Sequence, residues 1–183
     1  IGLGYADIVS AANHVPEIMH FAPIGLEGFE GSIIDGLKKK NAPNLDLLPE
    51  GRGFLLVEFG SNDPAQADER AHQLIDLLKR MDRPPDFRLY TKAQARMIWK
   101  IRESGARSAA SAPGAPPEWE GWDDAAVAPE KLGGYLRDIR KLLDVFDYRA
   151  AFYGHFGHGC IHMRVTFDLQ SETGIRKYGE FVE

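Results

Sequence analysis

Apolar residues fall at helical spacing early in the chain. Ile8, Ala11, Ala12, Val15, Ile18 and Met19 predict a helix over about residues 6–21, stopped by Pro23. Residues 23–29 then read as a short strand. Residues 32–39 read as a brief helix whose terminal lysines suit its C-terminal end. Residues 41–50, with two prolines, read as loop. Phe54 to Phe59 is a near-continuous apolar run and predicts a central strand. Asp63 is placed to cap the next helix, with Pro64 at its first position and Gln66 three residues after the cap. Ala67, Ala71, Leu74, Ile75, Leu78 and Met81 form the buried stripe, and Pro84-Pro85 ends it.

Phe87 to Tyr90 alternates as a strand, and Thr91 with Gln94 predicts a capping box for a helix reaching about Gly105. Residues 108–122 are rich in Ala, Pro and Gly and read as loop, with Trp119 and Trp122 near its end. The clearest helix covers residues 130–146, with Leu132, Leu136, Ile139, Leu143 and Phe146 on one face. Two strands follow, residues 148–153 and 160–168, joined by a glycine-rich turn, and a last helix starts near Ser171. This order predicts an α+β sandwich with helices on one face of a largely antiparallel sheet and a ferredoxin-like core. Ile1-Gly2-Leu3-Gly4 is no dinucleotide fingerprint, because it lacks a preceding strand and the third glycine.

Composition narrows the function classes. The 183 residues are 44% hydrophobic and 27% charged, as in one ordinary globular domain. A net charge of −5 gives nucleic acid no basic face to meet. No apolar run approaches the ~20 residues of a membrane span, and no signal peptide is readable. Cys160 is the single cysteine, so no disulfide framework exists and a reducing, cytoplasmic setting is compatible. The missing initiator Met and an end inside a helical pattern suggest a piece of a longer polypeptide.

The chemistry concentrates in Tyr153-Gly154-His155-Phe156-Gly157-His158-Gly159-Cys160-Ile161-His162-Met163-Arg164. Three of the chain's six histidines lie there, among three glycines that permit a tight turn. After the turn, Ile161, Met163, Val165 and Phe167 alternate onto one face, which should enter the core. Cys160, His162, Arg164, Thr166 and Asp168 take the other. His155, at the end of the incoming strand, can meet His162 across the hairpin. Imidazole is a good metal donor, yet two histidines fall short of the three protein ligands a catalytic zinc needs. The plain alternative is a glycine-rich hairpin with surface histidines, Arg102 on a solvated helix face and Arg164 paired with Asp168. Two further readings stand beside it: a non-catalytic ferredoxin-like binding or assembly module, and a metallohydrolase using His155, His158 and His162.

Gly154, His155, Gly157, Gly159 and His162 resemble, in order, the Gly-His-x-Gly-x-Gly-x-x-His signature of the C-terminal domain of FAD-linked oxidases. That family includes glycolate oxidase, D-lactate dehydrogenase and D-2-hydroxyglutarate dehydrogenase. Ile98-Trp99-Lys100-Ile101-Arg102-Glu103 is similar to its Trp-x-x-Arg-Glu helix. Residues 125–132, ending in Pro129-Glu130-Lys131-Leu132, are similar to its hydrophobic-Pro strand-to-helix turn, with two residues here between Pro and Leu. The wording around the histidines looks most like the subgroup fused to an iron–sulfur oxidoreductase.

The resemblance implies an FAD-dependent dehydrogenase or oxidase of a small 2-hydroxy acid, of D-lactate or glycolate type. Residues 1–183 would be its substrate-side domain, with an FAD-binding domain of the same polypeptide upstream. His155 and His162 would be catalytic as ligands of a divalent metal such as zinc or manganese. Arg102 would clamp a substrate carboxylate; Arg164, on the polar face of the second strand, is a further candidate for substrate binding that the resemblance does not itself assign. An iron–sulfur cluster in a fused region would accept electrons, in the cytoplasm or peripheral at the inner membrane face. The chain alone is expected to be inactive, since nothing in it binds a dinucleotide, and its metal site to be empty or weakly filled, since the family's third metal ligand lies in a later Gly-Glu-His-Gly stretch. Departures from the family pattern are His158, where several members have Asp, and Arg164, where members acting on 2-hydroxyglutarate have Asn. Those members also carry a lysine near the position of Trp122.

Overall fold

The structure, a computed structural model, describes residues 1–108, 119–120 and 125–183. It opens with β1 (Gly2–Tyr5), α1 (Ile8–Asn13), α2 (Val15–Met19), β2 (Gly25–Glu30), α3 (Gly31–Lys39) and β3 (Gly53–Glu58). Then come α4 (Pro64–Leu78), β4 (Asp86–Arg88), α5 (Lys92–Ser108), β5 (Trp119–Glu120) and β6 (Ala125–Ala126). The chain closes with α6 (Leu132–Val145), β7 (Ala150–Gly154), β8 (Cys160–Val165) and α7 (Glu172–Val182). The class is α+β, as expected. Seven strands lie in the order β4-β1-β3-β2-β7-β8-β5, every pairing antiparallel, and β6 also pairs with β8.

The strand that joins the two halves is β2. Six of its residues pair with β3, and Gly28 and Phe29 pair with Gly154 and Tyr153 of β7. The histidine-bearing hairpin is thereby fastened to the middle of the sheet.

Both faces of the sheet are covered, which corrects the expectation of helices on one face. Phe54, Leu55, Leu56 and Val57 of β3 are all buried. Strand alternation sends Leu55 and Val57 to one side and Phe54 and Leu56 to the other, so each side needs its own layer. The larger core gathers Leu55, Val57, Phe152, Ile161, Met163 and Val165 beneath α1, α2, α4, α6 and α7. The smaller one packs Phe29, Phe54, Leu56, Ala151 and Tyr153 against Ile33, Ile34 and Leu37 of α3 and Ile98 and Ile101 of α5. Each such side chain, fully buried, contributes about 1.5–3 kcal/mol.

The helix ends follow the sequence signals. Asp63 accepts a hydrogen bond from Ala65 N, Thr91 and Gln94 exchange bonds as a capping box, and Ser171 accepts from Gly174 N. Three local expectations differ. The early helix is two pieces, capped by Asp7 and broken at His14, because Pro16 has no N–H with which to continue the ladder. β1 occupies residues to which the sequence pattern gave no element. Trp119 and Glu120 form a strand pair with Val165 and Arg164 inside the stretch read as loop, while Trp122 lies outside the described residues.

Candidate active site

The hairpin turn is built around a buried anchor. After β7 the chain makes one 3-10 turn over Phe156–His158, and Phe156 is fully buried. Gly159 closes the turn at φ +69°, and a Cβ there would stand 1.8 Å from the Val127 carbonyl oxygen. Val127 N in turn donates to Gly159 O at 3.0 Å, tying the turn to β6. Position 159 therefore admits only glycine, which gives one glycine of the signature a physical reason.

β8 behaves as its alternation predicts. Ile161, Met163 and Val165 are fully buried on the larger core. His162 faces the opposite side, in register with Tyr153 and with ring centroids 5.2 Å apart. His155 lies against His162 edge to face, at 5.8 Å and 82°. Arg164 follows on the same strand face as His162, half-buried and in register with Ala151.

Arg102 comes from above. Ile98 and Ile101 seat α5 on the smaller core, and Arg102, one turn beyond Ile98, reaches inward. Its guanidinium carbon stands 5.9 Å over the Tyr153 ring, and Nη2 approaches Glu27 Oε2 at 2.5 Å. Its side chain is 14% exposed, and Nε has no hydrogen-bond partner among the described residues.

Glu27 was not anticipated. It sits on β2, alternating with Phe29 onto the α3/α5 side, and among the described residues it is the buried charged one, 8% exposed. Its second oxygen, Oε1, lies 2.7 Å from His155 Nδ1. One carboxylate thus joins an arginine 75 residues ahead to a histidine 128 residues ahead. Burying the charge is tolerable because the arginine compensates it. The only sequence signal for Glu27 is a carboxylate set between Leu26 and Gly28 in a strand with a buried residue on each face.

His155, His162 and Arg102 are therefore brought together, with Arg164 beside them on the strand. His158 is exposed on the turn. Asp168 is occupied otherwise, accepting from Gln170 N at 3.0 Å and Ser171 N at 3.1 Å ahead of α7. Cys160 Sγ lies 3.8 Å from His158 O. Trp119 packs against the larger core. Among the described residues no group of three or more His, Cys, Asp or Glu is arranged to hold a metal ion. The two facing histidines supply two donors, and these residues do not by themselves complete an ion site.

An antiparallel sheet that carries a glycine-framed histidine pair and an inward arginine on one face is the architecture defined here. The family described as FAD linked oxidases, C-terminal domain, matches residues 1–183, and the chain belongs to that family. Similar proteins include the D-2-hydroxyglutarate dehydrogenase of Pseudomonas putida, 23% identical over 181 residues, which cover 93% of this chain and 18% of that protein. The enzyme of the same name from Haemophilus influenzae is 22% identical, over 97% of this chain and 19% of its own length. That of Escherichia coli is 22% identical, over 92% of this chain and 18% of its own. The chain spans about a fifth of the length of these relatives.

Proposed function

We propose that this chain is the substrate-side domain of an FAD-dependent dehydrogenase of 2-hydroxy acids. The observation that carries the reading is the meeting of Arg102, Glu27, His155 and His162 on one sheet face, in a chain matched whole by the family. Arg102 sets Nη2 against Glu27 as an ion pair, and its buried Nε has no hydrogen-bond partner among the described residues. That spare donor suits a substrate carboxylate, which guanidinium recognises by charge and shape. His155 and His162 offer two imidazole donors to a divalent cation such as zinc or manganese. The third ligand would come from the family's Gly-Glu-His-Gly stretch. Bound FAD would take the hydride from the substrate carbon, and a bound cation would ease loss of the hydroxyl proton. The chain's own residues hold the acid: Arg102 fixes one end, and the histidine face lies beside the hydroxyl.

The D-lactate or glycolate type is the first reading of the substrate. A second is D-2-hydroxyglutarate, the substrate in the printed names of the similar dehydrogenases. That reading needs contacts other than those the family's 2-hydroxyglutarate members make, because Arg164 stands where they have Asn; a second carboxylate would then meet the Arg164 guanidinium on the face of His162. The relatives are about five times longer than the matched segment, which leaves room for an FAD-binding domain and a fused iron–sulfur acceptor. No helix among the described residues is long and apolar enough to cross a membrane, and we place the enzyme in the cytoplasm or against the inner membrane face.

The test is turnover by the full-length flavoprotein of D-lactate, glycolate and D-2-hydroxyglutarate with a dye as electron acceptor. Arg102→Ala should raise KM for the accepted acid at least tenfold. Arg164→Ala should do so only for a dicarboxylate. Unchanged kinetics in Arg102→Ala and His162→Ala would remove the reading.

A further inference from the structure

We infer that Glu27 is a positioning residue that sets His155 and Arg102 together, an inference that rests on the reading above. Three observations carry it. Glu27 is the buried charge among the described residues, at 8% exposed. Both of its oxygens are spent on the two residues assigned to ligand binding, Oε1 on His155 Nδ1 at 2.7 Å and Oε2 on Arg102 Nη2 at 2.5 Å. It also stands on β2, in register with Leu56 of β3 and one residue before Gly28, where β2 begins its pairing with β7.

The consequence for His155 follows from hydrogen-bond roles. A carboxylate paired with arginine can only accept, so the ring hydrogen of His155 belongs on Nδ1. The lone pair is left on Nε2, the nitrogen free to meet a cation. A carboxylate behind a ligating histidine fixes its tautomer and ring orientation and strengthens it as a donor. His155 needs such a hold more than His162 does. Its side chain is 51% exposed and sits at a turn, whereas His162 lies within a strand with its ring tilted against that of Tyr153.

The consequence for Arg102 is geometric. Ion pairing of Nη2 draws the guanidinium down toward the sheet and over Tyr153. The buried Nε is thereby presented with a fixed direction. Glu27 does not compete for the substrate in this arrangement, because it engages a different nitrogen. One side chain thus couples the carboxylate end of the substrate site to its histidine end.

The experiment uses the full-length, FAD-loaded enzyme and its Glu27→Gln, Glu27→Asp, His155→Ala and Glu27→Gln/His155→Ala variants. Mn²⁺ affinity is read by electron paramagnetic resonance, and KM and kcat for the accepted 2-hydroxy acid by dye reduction. Flavin content and melting temperature report folding. Glu27→Gln should weaken Mn²⁺ binding on the order of 10–100-fold and raise KM more than it lowers kcat, with full flavin content. The double variant should bind Mn²⁺ no worse than His155→Ala alone, because Glu27 acts on the cation through that histidine. Glu27→Asp keeps the charge and should recover part of the loss. If Glu27→Gln fails to fold, Glu27→Asp decides, with the same split at smaller size. Wild-type Mn²⁺ affinity and KM in the folded Gln variant, or in the Asp variant should Gln not fold, would overturn the inference while leaving the parent reading intact. Absence of Mn²⁺ binding and of 2-hydroxy-acid turnover in the wild type would overturn the parent reading and this inference with it.

Discussion

Phe156 packs so closely on Gly28 that a Cβ on that glycine would stand 2.4 Å from the phenyl ring. Gly28 lies in the joining strand β2 and Phe156 in the 3-10 turn after β7. Gly28 is next to Glu27 on β2, and Phe156 follows His155 in the hairpin turn. The contact therefore sets the distance between the carboxylate and the histidine it holds. Gly28→Ala should force the ring outward, and overpacking of this kind costs about 1–3 kcal/mol. Urea unfolding of the 183-residue chain should show that loss. The intact enzyme should lose cation affinity as well, because His155 moves with its neighbour.

Much of this architecture can be read from the chain. The alternation of Ile161, Met163, Val165 and Phe167 gave the buried face of β8 and, by exclusion, the face of His162 and Arg164. The caps at Asp63, Thr91 and Ser171 were readable because they depend on residues two to three positions apart. β1 was not readable. Gly2-Leu3-Gly4-Tyr5 has poor strand propensity, and it is a strand because β3 and β4 pair with it on both sides. Glu27 was missed for the same kind of reason. Its partners come from far along the chain, and a carboxylate in a short strand otherwise reads as a solvent-facing position. The second helical layer has a signal in the apolar run of β3, which buries residues on both faces and so calls for a layer on each.

Removing Arg102 should harm stability as well as binding. Glu27 and Arg102 have side chains only 11% and 14% exposed. Taking away one partner strands a buried charge, which costs about 3–5 kcal/mol. Arg102→Met should show that loss in urea unfolding. The double variant Arg102→Met/Glu27→Gln should recover a large part of it, since no charge is then left unpaired. Equal instability in both variants would mean the arginine serves packing rather than charge compensation.

Glu30 gives a pH dependence of a definite sign. Burial pushes its carboxyl above the ordinary value of 4.5, against the opposing pull of Arg140, its close ion-pair partner. The folded protein therefore holds this proton more tightly than the unfolded chain. The associated stabilisation is complete below the unfolded value and is lost as pH rises through the raised folded value. Glu30→Gln cannot titrate. The stability of the wild type relative to Glu30→Gln should fall as pH is raised from about 4 toward 7. Urea midpoints at stepped pH measure it, and a difference that rises with pH would contradict the burial argument.

The histidine pair can be tested against its own neighbour. His155, His158 and His162 share one hairpin, yet only His155 and His162 face each other, while His158 is exposed at the turn. Removing a true ligand should cost more than the roughly 10–100-fold lost with a residue that only orients one. His155→Ala and His162→Ala in the full-length enzyme should therefore lose bound divalent metal and turnover together. His158→Ala, made on the same turn, should retain both. His155 and His158 are exposed and His162 is half-buried, so flavin content and melting temperature should stay near wild type in all three variants. That separates ligand loss from unfolding. Metal content by elemental analysis and dye-coupled turnover are the measurements. Metal and turnover retained in His155→Ala and His162→Ala would leave the pair as ordinary residues of a glycine-rich hairpin. Loss in His158→Ala alone would move the cation to the turn.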